Sequence, residues 1–113
     1  MRKQIIQNAA FDVATQVRVV EETIDSALAE IAELQARVMR ANSVAGVGFA
    51  TAHPTLEKLA TAVASLVETR GSMVDCHAAL ADAKGKVPGL RTVNYGDEEC
   101  PPPSGKADLK IVA

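Results

Sequence analysis

The sequence predicts an all-α protein: a long antiparallel helical hairpin, coiled-coil-like, with an extended C-terminal tail, dimerising into a four-helix bundle. Three observations predict it. Apolar residues recur in alternating steps of four and three across residues 6–38, the heptad signature of a helix with one narrow apolar seam. A second stripe of the same kind spans residues 56–81. A glycine-containing stretch separates the two, and a proline-rich stretch follows them.

Composition sets the bounds. The chain has 113 residues, enough for one small domain, and 48% of them are hydrophobic, well above the level of disordered chains. Aromatics are limited to Phe11, Phe49 and Tyr95. Ala and Val dominate instead, which suits close helix packing. A net charge of −2 with interspersed signs argues against nucleic acid as a partner. No apolar run approaches the roughly 20 residues of a transmembrane helix. The basic start, Met1-Arg2-Lys3, is followed by Gln4, Gln7, Asn8 and Asp12, so no secretory leader is expected. Two cysteines, Cys76 and Cys100, make no disulfide framework, and a cytoplasmic location is expected.

The helical hairpin is expected over residues 1–86. Its first helix should span about residues 4–41, on the order of 55 Å at ~1.5 Å per residue. Heptad a positions are Ala10, Val17, Ile24, Ile31 and Val38; d positions are Ile6, Val13, Val20, Ala27 and Leu34. Ala14 and Leu28 widen the seam on one side, while Phe11 and Val19 lie off it. Glu21, Glu22, Asp25, Glu30, Glu33, Arg37 and Arg40 form an ordinary solvated face.

Residues 42–53 are the expected turn. Asn42 can end a helix, Gly46 and Gly48 supply flexibility, and Val47 with Phe49 should cap the bundle end. Gly46-Val47-Gly48 is no phosphate loop: a third Gly, a Gly-Lys-Ser/Thr and a preceding strand are all missing.

The second helix is expected over about residues 54–84, with Pro54 in its first turn and Thr51 or His53 near the cap. Its seam includes Leu56, Leu59, Val63, Leu66, Met73, Val74 and Leu80. Arg70 and His77, seven apart, interrupt that stripe as a polar seam. Gly71 is a weak point, and Ser72–Asp75 spells a capping box. The apolar phase does not shift there, so one continuous helix is expected, ending at Lys84-Gly85.

Residues 87–113 are the expected tail. Residues 90–95 alternate like a short strand and should dock on the helices. Cys100-Pro101-Pro102-Pro103-Ser104-Gly105 reads as linker, and residues 109–112 are a second, looser β-like run.

Candidate chemistry is sparse. His53, Cys76, His77 and Cys100 lack metal-ligand spacing. Cys76 and His77 are helix neighbours whose side chains diverge by roughly 100°, so they make no nucleophile–base pair. No catalytic residue, metal ligand or cofactor is therefore assigned. Small hairpin proteins exported by the bacterial WXG-type system are similar in length and helix plan. They carry Trp-x-Gly in the turn and Tyr-x-x-x-Asp/Glu after helix 2. Tyr95 and Glu99 match the second spacing, but the chain has no Trp and Tyr95 follows a Pro-Gly. Membership is not assigned.

The functional expectation is a non-enzymatic assembly or adaptor protein, bacterial or prophage accessory in kind. It would act by homo-oligomerising, most simply as a dimer, or by binding a helical partner. Its interface is assigned to Ile6, Val13, Val17, Val20, Ile24, Ile31, Leu34, Val38, Leu59, Val63, Leu66, Met73 and Leu80. The alternatives are a ligand-responsive bundle with a polar pocket around Arg70 and His77, and an exported hairpin. A hairpin turning near Gly48 sets facing positions at sums near 95. Arg70 then faces Ile24 and Asp25, within reach of Glu21 or Glu22, and needs a carboxylate there because an unpaired buried charge is costly.

Overall fold

The computed structural model describes residues 1–90. Of the expected strand-like run 90–95 only Leu90 is described; the rest of that run, the proline linker with Cys100 and the run 109–112 lie outside the described residues. Two long helices in contact form an all-α hairpin: α1 spans Arg2–Ala45 and α2 spans Phe49–Gly85. Apolar surface chooses this fold. Each helix carries one stripe, and each stripe needs another to cover it.

Both helices run longer than the sequence expectation, and the turn shrinks accordingly. α1 continues past Asn42 to Ala45. It ends in a two-bond motif: the Val47 N–H donates to the Asn42 carbonyl at 2.9 Å, and the Gly46 N–H to the Ser43 carbonyl at 3.3 Å. Gly46 holds φ +67°, the left-handed value that this helix ending requires and glycine tolerates. Two carbonyls of the last turn are thereby satisfied within two residues.

Gly48, not Thr51 or His53, is the N-terminal boundary of α2. Its carbonyl accepts the Ala52 N–H at 3.0 Å, so helical bonding begins five residues ahead of the expected start. Pro54 thus lies inside α2, where the carbonyl of Ala50 loses its usual donor. Proline marked the start too late because the Ala52 N–H already bonds the Gly48 carbonyl ahead of it, in a turn that holds two alanines, Ala50 and Ala52. Phe49 is 92% exposed and caps nothing.

The chain packs as two compact units. One is the hairpin Val19–Gly71. Here Val20, Ile24, Ala27, Leu28, Ile31 and Val38 of α1, with Leu56, Leu59, Val63 and Leu66 of α2, are half-buried or buried. The other joins Met1–Arg18 to the chain from Ser72 onward. Here Ile6, Ala10, Ala14 and Val17 are covered on one side and Met73, His77, Ala81 and Val87 on the other. α2 stays helical through Gly71, as the unbroken apolar phase suggests.

The covered stripe on α1 is rotated from the expected one. All a positions are covered, but Val13 and Leu34, both d residues, are exposed. Ala14, Glu21 and Leu28, on the opposite flank of the a row, are half-buried instead. Helix-interior threonines are satisfied locally. The hydroxyls of Thr15, Thr23, Thr61 and Thr69 donate to the carbonyls four residues back, at 2.6–3.0 Å, a bond that hides a hydroxyl along a helix wall.

Two glycines respond oppositely to alanine. A Cβ at Gly71 meets nothing within 4 Å in mid-helix, so Gly71→Ala should add about 0.5–1 kcal/mol. Gly46→Ala also meets open space but must hold φ +67°, and should cost on the order of 1–2 kcal/mol. Urea unfolding followed by helical circular dichroism checks both signs.

Candidate functional site

Within the unit formed by Met1–Arg18 and the chain from Ser72, a groove of about 230 Å³ lies between the two helices. Small side chains create it. Ala10 and Ala14 of α1 and Ala81 of α2 stand where larger residues would fill the space, and Val13, Val17, Leu80 and Val87 form apolar walls. The charged and polar lining residues are Arg18, His77 and Lys84, with no carboxylate among the residues described there.

The end of α2 shapes one mouth of this groove. After Gly85 the chain makes a tight turn, Val87-Pro88-Gly89-Leu90. The Leu90 N–H donates to the Val87 carbonyl at 3.1 Å, and Gly89 takes φ +90°. Proline second and a positive-φ glycine third are the requirements of a type II turn. The turn returns Leu90 to the helices, where it lines the groove at 5% exposure and is one of two buried hydrophobic residues among those described. Two contacts hold it. The Gln7 side-chain amide donates to the Gly89 carbonyl at 3.3 Å. The Lys3 stem runs beside Gly89, its Cγ 3.6 Å from where a Cβ would stand.

The second polar feature lies in the hairpin Val19–Gly71. The Arg70 Nε donates to the Asp25 Oδ1 at 2.8 Å. The expected facing sum of 95 therefore holds for this pair, with Asp25 rather than Glu21 or Glu22 accepting the bond. The pair is open to solvent, with more than half of each side chain exposed. Arg70 is therefore a surface residue beside the seam, not an enclosed one. Asp25 raises the guanidinium pKa above its already basic value, first through the hydrogen bond and then through its charge, while Glu21 adds a smaller push. The arginine remains a cation throughout the working pH range.

The assigned interface residues divide by exposure. Ile24 is buried, and Ile6, Val17, Val20, Ile31, Val38, Leu59, Val63, Leu66 and Met73 are half-buried between the helices. Val13, Leu34 and Leu80 are exposed. The two polar-seam residues do not share a pocket: His77 lines the groove, and Arg70 does not. Cys76, next to His77, is an exposed free thiol. His53 pairs with Glu57 at 3.2 Å on the surface. Among the described residues no group of three or more His, Cys, Asp or Glu side chains is placed to hold a metal ion, and no helix is long and apolar enough to cross a membrane.

Sequence reasoning placed Leu90 in a strand-like run and missed the groove. A signal for the groove was present: Ala10, Ala14 and Ala81 put small residues at stripe positions of both helices. No family model, curated protein or solved structure matches this chain.

Burial ranks the substitutions. Leu90→Ala and Ile24→Ala each remove a buried side chain and should cost on the order of 2–3 kcal/mol. Arg70→Leu breaks only a solvated pair and should leave stability equal or higher. Urea midpoints for the three variants should show the two apolar truncations well below wild type and Arg70→Leu at or above it.

Proposed function

We propose that this protein works as an assembly or adaptor module, through self-association or a helical partner, with a symmetric dimer as the simplest form. The observation that carries this reading is the apolar surface the hairpin leaves uncovered. Within Val19–Gly71 only Ile24 is buried. Val19, Leu34, Met39 and Val67 keep between 44% and 54% exposure. Scattered exposed apolar residues are ordinary. Here they are apolar side chains on helices whose mutual contact buries almost nothing completely. Burial of large hydrophobics is the main favourable term in folding, and small domains bury a modest fraction of their surface even when compact. A second layer of helices supplies the missing burial, as in four-helix bundles.

Leu34 is the informative position. It belongs to the heptad, it is a good helix former, and it is 49% exposed, so the hairpin itself does not use it fully. The polar-pocket alternative is less well supported, because Arg70 is paired with Asp25 at the surface and does not line the groove that His77 lines.

Light scattering at tens of micromolar tests the reading. Wild type should give a dimer mass, and Leu34→Asp together with Val67→Asp should give a monomer that remains helical. Changing Cys76 and His77 together to Ala should leave the mass unchanged. A wild-type monomer with cooperative melting would sink the self-association form of the proposal. Loss of cellular activity in a normally assembled Cys76/His77 variant would move function to the groove.

A further inference from the structure

We propose that two copies of this chain meet α1 to α1, antiparallel, across a two-fold axis at Leu34. The inference rests on the self-association reading and goes further, because it names the surface, the direction and the register of the contact.

Three observations carry it. The first is position. Within the unit Val19–Gly71, α1 is covered along Ile24 and Ile31 and, one row over, along Glu21 and Leu28. Leu34 keeps 49% exposure. At about 100° per residue, Glu30 and Leu34 lie about a third of a turn from Ile31 and Leu28. That is far enough round the helix for a second neighbour, as each helix of a four-helix bundle has.

The second is pattern. Ala27, Glu30, Leu34, Arg37 and Ala41 follow one another in steps of three and four, the spacing of a seam between helices. Val44 extends the row at one end and is 90% exposed. Thr23 extends it at the other, with its hydroxyl already donated to the Val19 carbonyl at 2.6 Å.

The third is charge. Glu30 and Arg37 are the charged residues of this row, and they stand on either side of Leu34. An antiparallel copy centred on Leu34 brings together positions whose numbers sum to about 68. Glu30 then meets the partner's Arg37, and Arg37 meets the partner's Glu30. Ala27 meets the partner's Ala41, and Thr23 the partner's Val44. A parallel copy sets each charge against its own kind, which repels. Arg37 can serve two carboxylates: its Nε donates to Glu33 at 2.9 Å, its side chain is 73% exposed, and the guanidinium carries further N–H donors.

The test uses the full chain with Cys76→Ser and Cys100→Ser, which removes both cysteines, and adds new ones singly. Under mild oxidation Leu34→Cys should link into a covalent dimer. Thr23→Cys alone and Val44→Cys alone should stay unlinked, because antiparallel copies hold each ~30 Å from its own counterpart at ~1.5 Å per residue. Mixed, those two should link to each other. Charge reversal gives a readout without cysteine chemistry. Glu30→Arg and Arg37→Glu should each raise the dimer dissociation constant about tenfold, as light scattering on dilution reads it. Mixing the two variants should restore wild-type association, since every charge then meets its opposite. Helical circular dichroism should match wild type throughout.

Self-linking of Thr23→Cys would report parallel copies and overturn the proposal. So would a wild-type dimer in which Leu34→Cys stays unlinked, or in which the two charge variants associate no better mixed than alone. Either result leaves the assembly reading standing and assigns this row of α1 to something other than a second α1. A wild-type monomer at tens of micromolar overturns both.

Discussion

Two helices packed against each other cover one stripe apiece, and this limit governs the rest of the molecule. α1 and α2 have 44 and 37 residues, yet Ile24 is the one residue of either helix that is buried among those described. Most stripe residues are half-covered. Apolar contact is therefore spread thinly along the stripe, with no deep centre to act as a core. Such an arrangement depends on the helices themselves being well made. The threonine hydroxyls that bond back to their own helix, and the ion pairs of Arg37 with Glu33 and Lys86 with Asp82, serve that need. Each is a small local effect at a solvated site.

Where coverage is thin, the chain ends of the helices carry more of the organisation. Both positive-φ positions among the described residues are glycines, Gly46 and Gly89, and each sits where the chain reverses. Gly46 allows α1 to end with two satisfied carbonyls and hand over to α2 within three residues. Gly89 allows a type II turn that returns Leu90 to the helices. The most buried side chain described, Leu90, is thus placed by a turn rather than by a helix stripe. A leucine inserted from a turn can close the end of a helix pair that alanines leave underfilled, because it is not bound to either helix's phase.

Polar residues on the stripes take two different roles. Arg70 sits at a heptad position but reaches outward to Asp25, so its charge stays in water and avoids the desolvation that burial would impose. The long aliphatic stem of arginine lets the head escape while the stem remains near the seam. His77 cannot escape in that way. Its ring is short and half-buried, and it becomes part of the wall of the groove. Identical spacing in the sequence therefore yields one surface ion pair and one groove residue.

The sequence by itself determined the all-α class, the hairpin and the facing register. Helical period and apolar phase are local properties, and a turn near Gly48 with antiparallel helices leaves one register, near a sum of 95, which Arg70 and Asp25 keep. It also determined that α2 runs through Gly71, since a helix break without a phase shift gains nothing. Helix ends were less legible. Pro54 marked the start of α2 too late because the first turn of that helix already closes ahead of it at Gly48, and Asn42 marked the end of α1 too early because the helix runs on until the positive-φ Gly46 stops it. Only the tertiary structure decided which side of the α1 stripe is covered. Residues on the d and e flanks differ by a small rotation of the helix, and that rotation follows from the bulk of the facing side chains. The groove and the return of Leu90 were decided there too. A void arises from what several distant small residues fail to fill together, and no single helix period records it.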